Sequence, residues 1–338
     1  MRTIIILTLL LLTTGCFNYM EINNMEVVTG IGLDQDKDKL ITTIEVLNAN
    51  QDPPTIVTYH TSGKNISNNL NYLSNQLEKP LYLGHLTHLT IGENLAQNGI
   101  LPLLKHFINQ PGLHQNFPLL IAINNEAKDI LTEDTSDDNN IDTNMQQVML
   151  STKKLDYMFD ANLEVIINDI KTKGIEATVP TVKLTNNLNT DATDLVKEQT
   201  AVFKNDKLVG FLSKNATLGL KLIKNQTENL HLPIKCNNTI TNLEVKRSSI
   251  RVNKNDIYHL RLNVTGLLKD QHCSKKELDR NLLYYLNQTI GESQRLNSDI
   301  IGIGKRTNTT LNYQNIVIKP NTNIKIIKPR SGLLGGLL

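Results

Sequence analysis

The sequence predicts an α+β protein of two to three subdomains, each a mixed β-sheet packed with helices, after a lipoprotein signal peptide. Strand-like and helix-like patterns alternate along the first half in the order β-β-α-β-α-β-α, which is typical of helices layered on a sheet. The second half combines alternating, strand-like segments with one long amphipathic helix. At 338 residues, the chain can hold two or three domains of about 100–200 residues each.

The N-terminus has the layout of a secretory signal with a cysteine at the cleavage point. A single cation, Arg2, precedes an unbroken apolar run over residues 4–12, and Gly15-Cys16 follows shortly after. This run is far shorter than the roughly 20 apolar residues that a membrane-spanning helix needs. We therefore expect cleavage between Gly15 and Cys16, lipidation of Cys16, and a mature protein tethered outside the cytoplasmic membrane.

One position of this signal is atypical. Thr13 stands where bacterial lipoprotein signals usually carry leucine or another aliphatic residue, and Leu12 lies one step earlier. An ordinary cleaved signal with an incidental Cys16, or an uncleaved signal anchor, are the alternatives.

We divide the chain into four parts. Residues 1–15 form the signal peptide, residues 16–24 a tether, residues 25–190 an N-terminal region and residues 195–338 a C-terminal region. The boundary between the two large regions follows from the polar stretch at residues 186–198.

Apolar periodicity gives the elements of both regions. In the N-terminal region we expect strands at residues 27–33, 40–47, 55–60, 86–91, 117–123 and 177–184, and helices at 62–78, 94–109, 126–131 and 145–171. In the C-terminal region we expect a hairpin around Asn205-Asp206, strands at residues 242–252, 257–264, 316–318 and 324–327 in a largely antiparallel sheet, and a helix at 276–296. The acidic, Asn-rich residues 133–144 are expected to form a loop.

Charge and composition exclude some classes of partner. Loss of residues 1–15 would leave 34 basic against 33 acidic side chains, so no concentrated basic face for nucleic acid is indicated. No stretch after the signal approaches transmembrane length. We predict no cofactor.

The sequence contains no recognisable catalytic or metal-binding motif. Asp34-x-Asp36-x-Asp38 resembles the start of a calcium loop, but Lys39 stands where that loop needs glycine, so we interpret the acids as a hairpin turn. His85-x-x-His88 lies in a predicted strand, where residues three apart point to opposite faces and cannot easily share a metal. We expect His85 to be a hydrogen-bonded structural residue and the protein not to be an enzyme.

Two cysteines remain besides Cys16. Cys236 and Cys273 lie 37 positions apart, and an extracytoplasmic location permits a disulfide between them. Sequence alone cannot show whether their Cβ atoms approach. Two free thiols are our default expectation, with a disulfide as the alternative.

Several sequence blocks along the chain follow the patterns of one known family. After the cysteine, FNYMEINNMEVVTGIGLDQD is similar to the family pattern that ends in xxVxGIGxD, and PLYLGHL with IGENLAQNGI is similar to YxGHxxxxxIGExLAxxGI. AVFKNDKLVGFL is similar to AxFxxDKLVGxL, and DIIGIG to DIxGxG. These blocks, in this order, resemble the Ger(x)C family, the lipoprotein C subunits of spore germinant receptors in spore-forming Firmicutes. Gly84, His85 and Gly210 within them are our candidate structural residues.

The chain departs from the family pattern at three places. Phe17 and Asn18 replace the usual Trp-Asp, both arginines of the family's turn are missing from residues 109–114, and the segment after Gly304 is shorter and lacks its tryptophan. These departures cast doubt on charge-mediated contacts at that turn and suggest a trimmed last domain.

The resemblance implies a non-catalytic, lipid-anchored subunit of a nutrient germinant receptor. It would lie on the outer face of the spore inner membrane beside A-type and B-type membrane subunits, with a role in assembly or signal relay. The alternative is a solute-binding lipoprotein of a transporter. The scarcity of aromatic residues, 4% of the chain, and the antiparallel character of the second half argue against that alternative.

Overall fold

The structure is a computed structural model. The residues that it describes are 21–49, 51–52, 54–134, 161–186, 193–196, 199–228, 230–237, 239–268 and 273–327. The signal peptide, Gly15, Cys16, most of the tether, most of the expected acidic loop and the first part of the helix expected at residues 145–171 lie outside the described residues.

The larger sheet has ten strands, and most of them come from the N-terminal region. The strands are β1 (Glu26–Asp36), β2 (Lys39–Asn48), β3 (Thr55–Gly63), β4 (Leu81–Tyr82), β5 (His88–Gly92), β6 (Leu119–Ala122), β7 (Thr178–Asn186), β8 (Thr193–Val196), β9 (Thr200–Lys204) and β10 (Lys207–Leu212). Their order is β10-β9-β7-β6-β5-β1-β2-β3, with β4 paired to β1 and β8 to β7.

The centre of this sheet is parallel and its flanks are antiparallel. Strands β1, β5, β6 and β7 run parallel to one another, whereas β2, β3, β9 and β10 pair antiparallel. All residues of β5 and β6 are buried, as expected for parallel strands covered on both faces. The sheet is therefore mixed, as the sequence predicts.

Five helices accompany these strands in the described part of the N-terminal region. They are α1 (Ile66–Gln76), α2 (Glu93–Asn98), α3 (Leu101–Ile108), α4 (Ala127–Asp134) and α5 (Leu163–Lys171). The single helix that we predict at residues 94–109 is wrong: it is divided into α2 and α3. Gly99 adopts a φ of +118°, outside the helical region, and so ends α2.

The smaller sheet has four strands in the order β11-β12-β13-β14. The C-terminal region contributes β11 (Leu230–Cys236), β12 (Thr239–Lys254), β13 (Tyr258–Leu268) and β14 (Ile318–Ile326), with helices α6 (Lys214–Lys224), α7 (Lys275–Arg295) and α8 (Ile303–Thr307). The first three strands are antiparallel, and β14 runs parallel to β13. Ser274 and Glu277 form a capping box that begins α7 one residue before the predicted start.

The larger sheet extends across the two predicted regions. Strands β9 and β10 belong to the C-terminal region by sequence, yet they extend the sheet of the N-terminal region through β7. The backbone amide of Glu176 also donates to the carbonyl oxygen of Asp299 at 3.0 Å. The boundary that we predict between residues 190 and 195 thus separates two stretches of sequence, not two sheets.

The default expectation of two free thiols is wrong. Cys236, at the end of β11, forms a disulfide with Cys273, and their Cα atoms are 5.1 Å apart. Cys273, just before α7, lies against the end of β11, although the two cysteines are 37 positions apart in sequence. The bond ties the start of α7 to the smaller sheet.

Candidate functional site

Asp34 connects the end of β1 to the start of α4. Its carboxylate is buried and accepts hydrogen bonds from the backbone amides of Ala127 at 2.8 Å and Lys128 at 2.9 Å. A carboxylate at a helix N-terminus satisfies amides that have no partner within the helix. Burial raises the pKa of Asp34, and the two amide hydrogen bonds oppose this effect.

The glycines of the GIGLD and IGE blocks allow this arrangement. A Cβ atom on Gly92 would lie 2.2 Å from Oδ1 of Asp34, and one on Gly32 would lie 3.3 Å from the carbonyl oxygen of Ala127. The helix and the carboxylate can approach the sheet closely because these positions carry no side chain. The acid of the first block and the glycine of the second are therefore two halves of one packing unit.

A buried acid and a buried histidine flank Gly30. Gly30 pairs with Glu45 on β2 and with His88 on β5, so both side chains lie beside it on the sheet. Nε2 of His88 lies 3.6 Å from Oε1 of Glu45, and the side chains of both residues are at most 2% exposed. A Cβ atom on Gly30 would come within 2.2 Å of Glu45 and 2.5 Å of His88.

Thr87 fixes the orientation of the His88 ring. Its hydroxyl donates to the carbonyl oxygen of Thr29 at 2.8 Å and lies 3.1 Å from Nδ1 of His88. Burial lowers the pKa of His88 to about 4, so the ring is neutral at pH 7.

The buried pair has the residue types of an acid–base site but not its accessibility. Both side chains are at most 2% exposed, so neither group is open to a substrate. Within the described residues, no three His, Cys, Asp or Glu side chains are grouped to hold a metal ion. The geometry therefore assigns the pair to packing inside the sheet.

The Gly84-His85 turn lies where the chain enters the fold. Strand β4 pairs with the first residues of β1, and the backbone amide of Glu26 donates to the carbonyl oxygen of Pro80 at 2.9 Å. A Cβ atom on Gly84 would lie 2.4 Å from the Tyr82 ring, so this glycine accommodates the ring. The close approach of the Tyr82 ring therefore gives a structural reason for glycine at position 84, which the sequence block alone does not provide.

His85 occupies an exposed turn and not the strand in which we predict it. Strand β5 begins three residues later, at His88. The His85 ring packs edge-on against Tyr82, with 5.5 Å between the ring centroids. Of the two histidines in the His85-x-x-His88 motif, the buried one is His88. Its position directly before the apolar residue Leu89 of the strand was the signal that could have identified it.

Gly210 lies at an irregularity in the β9–β10 hairpin. The register shifts between Leu208 and Gly210, and Gly210 has a φ of +153°. A Cβ atom on it would lie 2.6 Å from Cδ2 of Leu296, just after α7. The glycine therefore lets the hairpin pack against the end of the long helix.

The turn of the same hairpin contacts the IGENLAQNGI block. Asp206 accepts a hydrogen bond at its carbonyl oxygen from the amide of Ile100 at 2.9 Å, and its carboxylate accepts one from the amide of Leu101 at 3.3 Å. It supplies acceptors at the start of α3, the junction that Gly99 creates. Sequence analysis places Asp206 in a hairpin turn but does not predict this contact.

The DIIGIG block forms a tight turn around the carboxylate of Asp299. The buried carboxylate of Asp299 accepts hydrogen bonds from the amides of Gly302, Ile303 and Gly304 at 2.8–3.0 Å. A Cβ atom on Gly304 would lie 2.9 Å from the Cα atom of Gly174 in the preceding region. The spacing of acid and glycines thus serves a backbone turn and not a nucleotide.

No helix in the described residues is long and apolar enough to cross a membrane.

Comparison with known proteins identifies the family. The model of the spore germination protein N-terminal domain matches residues 18–184, and the spore germination B3/GerAC-like C-terminal model matches residues 198–329. Together these matches span most of the chain and contain the motif blocks described above, apart from Phe17.

Individual relatives agree with the family models. Spore germination protein B3 of Bacillus subtilis (strain 168) is 24% identical over 302 residues, covering 82% of this chain and 77% of the relative. The putative spore germination protein YfkR of the same strain is 22% identical over 361 residues, covering 94% of this chain and 90% of the relative.

A solved structure agrees with the fold. The crystal structure of the GerBC protein is similar with a TM-score of 0.54 and 18% identity, over 88% of this chain and 97% of that chain. With both family models matched in order, the chain belongs to the GerAC/GerBC-like family of spore germination proteins, the family of the C subunit of germinant receptors.

Proposed function

We propose that this protein is a lipid-anchored, non-catalytic subunit of a spore nutrient germinant receptor, in which it supports assembly or relays the signal. The match of both family models over residues 18–184 and 198–329 carries the proposal. It supports a receptor role over the alternative of a solute-binding lipoprotein. The family is generally non-catalytic.

The chemistry of the motif blocks supports a role in protein contact. Asp34 and Asp299 bind backbone amides, and His88 is buried beside Glu45, so these acids and this histidine hold the fold together. Because these acids and this histidine are enclosed in the fold, we infer that the protein acts through contacts at its surface. We infer that A-type and B-type membrane subunits of the receptor are the partners of that surface.

The anchor would be Cys16, with a diacylglycerol on the mature N-terminus. One acyl chain binds membranes only marginally, whereas two chains anchor stably. Glu26, the start of β1, is ten positions after Cys16, so at about 3.5 Å per position the two residues are at most about 35 Å apart. The end of the fold that carries the Gly84-His85 turn would then lie close to the outer face of the spore inner membrane.

The anchor is tested by replacing Cys16 with alanine in the spore-forming host. We expect Cys16→Ala to move the protein from the membrane to the soluble fraction and to slow germination with nutrients. Thr14→Ala is the matched control, because it alters the same signal and keeps the cysteine. Fractionation of spores, followed by immunoblotting, measures the first effect, and loss of optical density after nutrient addition measures the second.

The two readouts separate the parts of the proposal. A Cys16→Ala protein that stays in the membrane contradicts lipid anchoring. A protein that becomes soluble while spores germinate normally contradicts the need for an anchored subunit. Normal nutrient germination after deletion of the whole gene, with its paralogues removed, would contradict the receptor role.

A further inference from the structure

A cavity of about 630 Å³ lies between the start of α1, helix α3 and the tip of the β1–β2 hairpin. We call it the α1–α3 cavity. Four aliphatic side chains contribute to its lining: Leu40, Ile66, Leu95 and Leu103. Small-ligand sites in proteins typically have volumes of about 300–1,000 Å³, a range that includes this cavity. Most of its other lining residues are polar or charged.

Three lysines from three different elements line this cavity. Lys39 begins β2, Lys64 precedes α1 and Lys105 lies in α3, whereas Asp38 is the acid among the lining residues. In the described part of the chain, none of the three lysines forms an ion pair. Because the whole chain has a formal net charge of only +2, this local excess of positive charge is not a property of the surface in general.

Neutral donors accompany the lysines. The side chain of Asn65 caps α1 by accepting from the amide of Asn68 at 2.8 Å, which leaves the amides of Ile66 and Ser67 without acceptors inside the helix. Oγ of Ser67 lies 3.3 Å from Nδ1 of His106, whose Nε2 has no hydrogen-bond partner. These donors add to the lysines and would not define a site without them.

We propose that the α1–α3 cavity binds a small organic anion, a carboxylate on a short apolar body. The lysines complement the carboxylate, and the aliphatic lining complements the rest of the molecule. Within the described residues, the cavity is lined only by elements of the N-terminal region. The site therefore differs from that of a solute-binding protein, which lies in a cleft between two lobes. The proposal goes beyond the receptor role and does not depend on lipid anchoring.

Calorimetric titration of the full-length chain in lipid nanodiscs tests the site, with hexanoate as the probe. We expect saturable binding with one site per chain and about tenfold weaker binding to Lys64→Ala/Lys105→Ala, because this variant removes two of the three cations that line the cavity. Lys319→Ala is the matched control, because Lys319 is also exposed and lies on β14, away from the cavity. It should leave the affinity unchanged.

Related probes decide the chemistry of the ligand. Hexanamide, which lacks the charge, and inorganic phosphate, which lacks the apolar body, should each bind more weakly than hexanoate. Absence of saturable hexanoate binding, equal binding of either comparison probe, or equal binding by the double variant would overturn the proposal. Saturable binding of a pentaglutamate peptide without binding of hexanoate would also overturn it, in favour of a groove for an acidic protein segment. None of these outcomes affects the test at Cys16.

Discussion

The Cα atom of Gly92 lies against the carboxylate of Asp34, where a Cβ atom would be only 2.2 Å from Oδ1. The carboxylate cannot rotate away without losing the hydrogen bonds that it accepts from the backbone amides of Ala127 and Lys128. The contact joins β1, β5 and α4 at a single point.

Gly92→Ala should destabilise the protein by about 2–3 kcal/mol, since it overpacks this contact and weakens the cap of α4. Gly291→Ala is the matched control, because nothing lies within 4 Å of a Cβ atom there and the residue is inside helix α7. That variant should be neutral or stabilising by up to about 1 kcal/mol. Urea unfolding measures both, and equal stabilities would contradict the proposed packing unit.

The buried His88 should make stability fall as the pH is lowered. Its pKa is about 4 in the folded protein against an ordinary value of 6.5, so the unfolded chain binds more protons between these values. The stabilisation is complete above pH 6.5 and is lost as the pH falls toward 4. Between pH 7 and pH 5 the free energy of unfolding should decrease by about 2 kcal/mol through this residue.

Urea unfolding at pH 7, 6 and 5 checks this dependence. His88→Gln should remove this part of the pH dependence, whereas His85→Gln should retain it, because His85 is exposed in a turn. Although Glu45 would favour a charged ring, the 3.6 Å separation is longer than a hydrogen bond and burial has the larger effect. An unchanged slope in His88→Gln would show that other groups titrate.

Loss of the disulfide should lower stability substantially. Cys236 and Cys273 close a loop with a sequence separation of 37, for which the chain-entropy relation gives about 4 kcal/mol. Differential scanning calorimetry of Cys236→Ser/Cys273→Ser, and of the wild-type chain with and without reductant, measures the effect. Thiol labelling that finds two free cysteines in the oxidised, folded protein would refute the bond.

Gly210→Ala should destabilise the protein by about 1–3 kcal/mol, because the added methyl group meets Leu296 and the φ of +153° disfavours a side chain. A double-mutant cycle with Leu296→Ala separates the two causes. Removal of the leucine side chain should relieve the steric part and leave the backbone part. Strictly additive effects in thermal unfolding would show that the two residues do not meet.

Local elements were predicted well where one period dominates a segment. The apolar spacing of α7 and the alternation of β12 and β13 need only neighbouring residues, so their existence follows from the sequence. The prediction of one helix failed between α2 and α3, although the apolar stripe is continuous there. The positive φ of Gly99 ends α2, and Asp206 accepts a hydrogen bond from the amide of Ile100 at the start of α3. The prediction that His85 lies in a strand was wrong for a related reason. The residue at which β5 begins depends on its pairing with β1, which starts at His88.

By itself, the sequence determined the α+β class, the order of the motif blocks and, through them, the family; the signal that ends at Cys16 stays a prediction. Only the tertiary structure decided that Gly92 receives Asp34, that Gly30 lies between Glu45 and His88, and that Cys236 meets Cys273. It also decided that β9 and β10 extend the sheet of the preceding region. Periodicity and turn chemistry act between neighbours in the chain, whereas these contacts join residues far apart in sequence, which only the packed fold brings together.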